Sequence, residues 1–226
     1  MQEDTLSRNG SPPFPKRSTI GVLGLQGDFD AHRRALEAAG AEVREVRRPD
    51  QLAGLGALVV PGGESTALLR LLAPRKMDEA IVAFHRTGGV LLGTCAGLIL
   101  FAKEVASPGQ PSLGLLDVTV DRNAFGRQVD SFVDQGRLRL NGTEVETEMV
   151  FIRAPRIRRV GPEVEVLGTW NGEPVLVRQD RIFGATFHPE MSPQSPFPQW
   201  FAQQVASPQA IAPLGQAAGS REDITP

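Results

Sequence analysis

The chain has 226 residues, a formal charge of −2 and 41% hydrophobic residues, enough for one α/β domain with a sizeable core. That charge gives no general pull toward nucleic acid or membrane, and no apolar run approaches the roughly 18 residues of a membrane span. Cys95 is the sole cysteine, which excludes an internal disulfide and a multi-cysteine zinc site and suits a reducing, cytoplasmic setting.

Residues 1–18 are rich in Ser, Pro, Asn and charge and read as a disordered extension. With Glu3 and Asp4 and no apolar segment, they do not form a signal peptide. Ile20–Leu25 is a buried strand, followed by a turn with Asp28 as N-cap. A helix over Phe29–Ala39 carries Phe29, Leu36 and Ala39 at helical spacing and stops at Gly40. Glu42–Val46 and Gly56–Val60 are strands, the latter ending in Pro61-Gly62-Gly63. Ser65–Leu72 and Met77–Arg86 are helices, and Val90-Leu91-Leu92 is a buried strand leading into a helix over Leu98–Lys103. This alternation predicts a mostly parallel sheet with helices on both faces. After Pro108 the segments Leu115–Val120, Phe132–Val133, Arg137–Leu140, Glu144–Ile152, Val164–Thr169, Pro174–Arg178 and Arg181–Phe187 are short and turn-punctuated. They predict additional mixed or antiparallel strands. Phe197–Val205 is a closing helix, and residues 207–226 read as a disordered tail. The domain thus covers residues 19–206. The run Arg156-Ile157-Arg158-Arg159 is left as a solvated face or a partner contact.

Gly93-Thr94-Cys95-Ala96-Gly97 joins the fourth strand to its helix. A cysteine at a strand-to-helix turn, with glycine two residues before and two after, has the pattern of a nucleophile elbow. The cramped backbone presents the sulfur, and the following helix N-terminus favours a thiolate and can hold an oxyanion, first through the Ala96 N–H. A lone cysteine is otherwise most often a small buried hydrophobe.

A thiol hydrolase needs a base, and the chain has three histidines. His32, beside Arg33-Arg34, and His85 read as bland surface residues whose replacement is close to neutral. His188 ends a strand and precedes Pro189-Glu190. Residues i and i+2 of an extended segment project to one side, and Pro189 biases His188 toward that conformation. Glu190 can therefore orient the His188 imidazole.

Six motifs now stand in order: Leu25-Gln26-Gly27, Pro61-Gly62-Gly63-Glu64-Ser65-Thr66, Gly93-Thr94-Cys95-Ala96-Gly97-Leu98-Ile99, Arg122-Asn123-Ala124-Phe125-Gly126-Arg127-Gln128, Val150-Phe151-Ile152-Arg153-Ala154-Pro155 and Phe187-His188-Pro189-Glu190. Over about Thr19 to Val205 the chain resembles the class I (triad) glutamine amidotransferases, and within them the glutaminase subunits of pyridoxal 5'-phosphate synthase. The N-terminal extension and the Ala/Pro/Gly tail depart from the pattern without touching a motif. The resemblance implies a flavodoxin-like three-layer sandwich and hydrolysis of L-glutamine to glutamate and ammonia. The ammonia would pass to a separate synthase subunit, and no metal or cofactor is implied for this chain. It implies Cys95 as nucleophile, His188 as base and Glu190 as orienter, with Gly63, Glu64, Ser65, Arg122, Ile152 and Arg153 binding glutamine. The Gly62-Gly63 loop, which also follows a strand, is expected to complete the oxyanion site with Ala96. Its two glycines let a peptide flip at little steric cost.

Other readings are a glutaminase serving a different synthase, a stand-alone cysteine hydrolase or deglycase-like protein on a similar sheet, and a thiol redox sensor or catalytically dead interaction module. The hydrolase would act without a partner on a substrate other than glutamine. The sensor would use Cys95 but has no need of His188 and Glu190.

Overall fold

The computed structural model describes residues 19–122 and 131–207. The predicted terminal extension, most of the predicted tail and positions 123–128 of the fourth motif lie outside the described residues.

The first half alternates as the sequence predicts. Strands β1 (Ile20–Leu23), β2 (Val43–Val46), β3 (Ala57–Val60) and β4 (Val90–Thr94) are linked by helices α1 (Phe29–Ala38), α2 (Ser65–Leu72) and α3 (Met77–Arg86). Asp28 caps α1, its carboxylate accepting the Ala31 N–H at 3.1 Å, and Gly40, with φ of 83°, follows the end of that helix. Glu64 caps α2 through the N–H groups of Thr66 and Ala67.

Helix α4 (Ala96–Phe101) has the predicted length but starts and ends two residues earlier. The chain turns extended at Ala102 and runs directly into β5 (Ala102–Ala106), which includes Lys103. The strands that follow are β6 (Leu116–Asp121), β7 (Phe132–Leu140), β8 (Thr143–Phe151), β9 (Arg156–Val160), β10 (Glu165–Trp170), β11 (Glu173–Gln179) and β12 (Ile182–Ala185), and α5 (Phe197–Ala206) closes the fold.

Among the described residues the strands form two sheets. The larger has the order β2-β1-β3-β4-β12-β11-β10-β7-β8. It is parallel from β2 to β12 and antiparallel from β12 to β8. The smaller, β5-β6-β9, lies beside it. Alternation along the central strands sorts the core into two layers. Leu58, Val60 and Leu91 pack with Leu68, Leu72, Ile81 and Leu98 from α2, α3 and α4. Ala57, Val59, Val90 and Leu92 pack on the other face with Leu36 of α1 and Phe197, Trp200 and Phe201 of α5. Phe183 of β12 meets Trp200 and Phe201 edge-on at centroid distances of 5.7 and 5.5 Å, a favourable aromatic arrangement. The result is a helix–sheet–helix sandwich with an antiparallel extension.

The basic run at 156–159 is a strand, β9, on which Arg158 and Arg159 are exposed and ion-paired. Ile157 is buried in the core while Arg156 pairs with Glu173, Arg158 with Asp121 and Arg159 with Asp117. The carboxylates come from β11 and β6, so the charge is balanced across strands.

Candidate active site

The site lies at the carboxyl ends of the parallel strands, where open α/β sheets leave a crevice. Cys95 follows β4 with φ of 48° and ψ of −100°, a conformation that costs a non-glycine residue of order 1–3 kcal/mol. Its flanking glycines are required by close approach. A Cβ on Gly93 would lie 2.5 Å from the Gly97 carbonyl carbon, and one on Gly97 would lie 2.2 Å from the Val60 carbonyl oxygen. Helix α4 can therefore press against β3 and β4 only with these residues bare. The Cys95 N–H is engaged by the Ala185 carbonyl at 2.8 Å. The next amide, that of Ala96, opens α4, where an N–H has no intrahelical partner.

His188 follows β12, the strand paired with β4, so nucleophile and imidazole leave adjacent strands. The side chain is buried, with Nδ1 2.7 Å from Glu190 Oε1. Its other nitrogen, Nε2, is buried without a regular hydrogen-bond partner among the described residues. Cys95 Sγ lies 3.8 Å from the Ile152 carbonyl oxygen, to which the thiol can donate. Burial alone would push His188 down, but contacts with Cys95 and Glu190 outweigh it and raise the imidazole to about 10. Burial would likewise push Glu190 up. The charges and N–H groups of His32 and His188 overcome it and hold the carboxyl well below the usual range.

Pro61-Gly62-Gly63 runs over this pair. A Cβ on Gly62 would lie 2.4 Å from His188 Cε1 and 3.2 Å from Cys95 Cβ. Gly62 is a glycine because the imidazole touches it, and the left-handed position in the loop is Gly63, with φ of 145°. Gln26 braces the loop from the β1 side, its Oε1 accepting the Glu64 N–H at 2.9 Å.

A cleft of about 320 Å³ opens above the sulfur, lined in part by Gly63, Glu64, Ser65, Arg122, Ile152 and Arg153. The six positions expected to bind substrate are thus gathered at one opening with Cys95 and His188. Arg122 donates to Thr66 Oγ1 at 3.0 Å and lies 3.7 Å from Glu64. Ser65 donates to Gln110 at 3.0 Å, and Arg153 has φ of 44°. Asp28, Ile99 and Met191 also line the cleft. The sequence reading assigned none of them to it, although Asp28 carried a local signal as a cap and Ile99 stood in the third motif.

A thiol, an imidazole and a carboxylate in series, beneath a glycine loop and a polar cleft, match the chemistry of amide hydrolysis through a thioester. A family model agrees, matching residues 22–207: the SNO glutamine amidotransferase family. The chain belongs to this family. Its relatives include the pyridoxal 5'-phosphate synthase subunit PdxT of Deinococcus radiodurans, 51% identical over 77% of this chain and 90% of that one. The PdxT of Koribacter versatilis is 49% identical over 82% and 95%. A crystal structure of a glutamine amidotransferase superposes with a TM-score of 0.74 at 44% identity, covering 83% of this chain and 98% of the other.

Two histidine expectations need correction within this glutamine amidotransferase. His85 is half-buried, its Nδ1 3.4 Å from the Gly89 carbonyl oxygen, and does not line the cleft. His32 is not a surface residue. Only 3% of it is exposed, and its Nε2 reaches Thr94 Oγ1 at 2.9 Å and Glu190 Oε1 at 3.1 Å. The signal was present in the register: Phe29, His32, Leu36 and Ala39 fall on one helical stripe. The neighbouring Arg33 is half-buried and paired with Asp30 and Glu37.

Proposed function

We propose that the protein is the glutaminase subunit of pyridoxal 5'-phosphate synthase. It hydrolyses L-glutamine to L-glutamate and ammonia and passes the ammonia to a separate synthase subunit. The observation that carries this reading is His188 set between Glu190 and the elbow cysteine beneath the cleft of a glutamine amidotransferase.

Cys95 attacks the side-chain amide carbon as a thiolate, its proton having passed to His188. The oxyanion is held by N–H groups of Ala96 and of the Gly62-Gly63 loop. His188, charged at neutral pH, gives a proton to the departing nitrogen as the C–N bond breaks, because an unprotonated amide nitrogen leaves poorly. Ammonia departs and a glutamyl thioester remains. The now neutral imidazole takes a proton from water, whose oxygen attacks the thioester, releasing glutamate and restoring the thiolate beside a charged imidazole. Glu190 accepts from His188 Nδ1 throughout, which keeps Nε2 as the working nitrogen. The guanidinium of Arg122 or Arg153 is suited to the substrate α-carboxylate, since it can bind both oxygens. Gly63, Glu64, Ser65 and Ile152 supply the remaining contacts. The free thiol fits a cytoplasmic location, and no helix among the described residues is long and apolar enough to cross a membrane.

Steady-state glutamate release, measured with and without the cognate synthase, tests the assignment. Glutamine turnover that rises with the synthase is expected. No turnover in the complex would overturn it.

A further inference from the structure

His32 has no part in the chemistry just described, yet it is buried against it. Its Nε2 approaches the same oxygen, Glu190 Oε1, that His188 Nδ1 approaches. The second carboxylate oxygen, Oε2, is buried with no hydrogen-bond partner among the described residues. The glutamate side chain is 1% exposed, so two imidazoles from different parts of the fold hold a carboxylate removed from water. A buried carboxylate needs such partners to stay charged. The terminal torsion of a glutamate is also broad, and one hydrogen bond from His188 fixes it poorly.

An ionised Glu190 only accepts: His188 Nδ1 donates to Oε1 at 2.7 Å, and His32 Nε2 lies 3.1 Å from the same oxygen. The hydrogen bond of His32 Nε2 runs to Thr94 Oγ1, 2.9 Å away. Thr94 ends β4 and immediately precedes Cys95. One imidazole on α1 therefore touches both the turn that carries Glu190 and the strand end that carries the sulfur.

We propose that His32 is a positioning residue: it fixes Glu190 Oε1 in line with His188 and ties that turn to the strand end bearing Cys95. A histidine filling space on an apolar helix face would need only some polar partner. This one meets the oxygen that orients the base. The proposal rests on the glutaminase reading for its kinetic readout and on none for its chemical one.

The test compares His32→Gln, His32→Asn and His32→Leu, each assayed in the complex with the synthase. The glutamine amide is long enough to donate to Glu190. Asparagine is polar but too short, and leucine cannot donate. His32→Leu and His32→Asn should lower kcat by about tenfold or more with KM nearly unchanged, while His32→Gln recovers most of the loss, as for partners that orient a working imidazole. In a Glu190→Gln background, adding His32→Leu should change kcat by less than about twofold, because the two residues act as one unit.

Iodoacetamide alkylation of Cys95, the sole cysteine, reads the same coupling without glutamine and should follow the same order of variants. Losses in His32→Gln and His32→Leu that match each other and track the fall in melting temperature would overturn the proposal. So would independent, multiplicative losses in the double variant. If wild-type protein turned over no glutamine while alkylation still followed the predicted order, the glutaminase reading would fall and the His32 assignment would stand. Should His32→Leu fail to fold, the contrast between His32→Gln and His32→Asn decides alone.

Discussion

Gly62→Ala puts the geometry of the cleft to its sharpest test. The new carbon would lie 2.4 Å from His188 Cε1 and 3.2 Å from both His188 Nε2 and Cys95 Cβ. Carbon atoms sit comfortably at about 3.5–4.0 Å, so one partner must yield by about 1 Å. The imidazole cannot retreat freely. Its Nδ1 is held by Glu190 at 2.7 Å and its backbone N–H by the Val150 carbonyl at 2.8 Å. A displacement of about 1 Å at reacting groups costs on the order of 10²-fold in rate, or about 2.7 kcal/mol of transition-state stabilisation. The stability loss for such overpacking is about 1–3 kcal/mol, a fall of a few degrees or more in Tm at this domain size. Glutamate release in the complex and a thermal melt measure the two effects. Gly142→Ala is the control. That residue has φ of 78° with nothing within 4 Å of a built Cβ, so it should lower Tm by a few degrees and leave kcat alone. A Gly62→Ala enzyme with kcat within twofold of wild type would refute the close approach of loop and imidazole.

Cys95→Ala should abolish turnover, by on the order of 10³-fold or more, with the fold retained, and a glutamine-analogue electrophile should label Cys95 alone in the wild type. His188→Asn should be nearly as damaging and Glu190→Gln milder, since the carboxylate orients the base and moves no proton itself; steady-state kinetics in the complex ranks them. Stability should depend on pH in a set direction. The raised His188 contributes stability that is complete below its ordinary 6.5 and is lost as pH climbs toward about 10, whereas the depressed Glu190 contributes above its ordinary 4.5 and loses this on acidification. Glu190→Gln removes a partner that raises His188, so melts between pH 6.5 and 10 should show a shallower alkaline loss than wild type. The isolated chain should hydrolyse glutamine slowly and gain at least about tenfold with the synthase, mainly in kcat. That needs only ~1.4 kcal/mol of differential binding. Titration of the synthase into the glutaminase assay would show it, and a chain fully active alone would count against it.

The elbow was legible because its cause is local. A strand, a cramped residue and two bare neighbours all lie within a few positions of Cys95. The His188–Glu190 pair was legible for the same reason, being two residues apart in an extended stretch. His32 was misread although its register matched the apolar stripe, because Arg33 and Arg34 suggested a wet face and its partners Thr94 and Glu190 are distant in sequence. Strand β7 was read as two pieces because Asp134-Gln135-Gly136 resembles a turn. Gly136 is there for packing, since a Cβ would lie 2.5 Å from the Met149 sulfur. Strand β9 was missed because the carboxylates that neutralise its arginines belong to β6 and β11. Composition along the chain cannot display a balance struck across strands.

The last strand made does not sit at an edge of the sheet. β12 follows all the others in the chain yet lies between β4 and β11 in the sheet. A nascent chain that ends before Ile182 holds β4 against β3 alone, with its other edge bare. Such an edge invites pairing with a neighbour, and long-range closure of this kind is slow. Up to that moment Cys95 has no imidazole beside it and its own N–H lacks the Ala185 carbonyl. Insertion of one four-residue strand seals the sheet and arms the sulfur in the same event. Partly made chains therefore carry an idle thiol, and reactivity becomes a property of the completed fold.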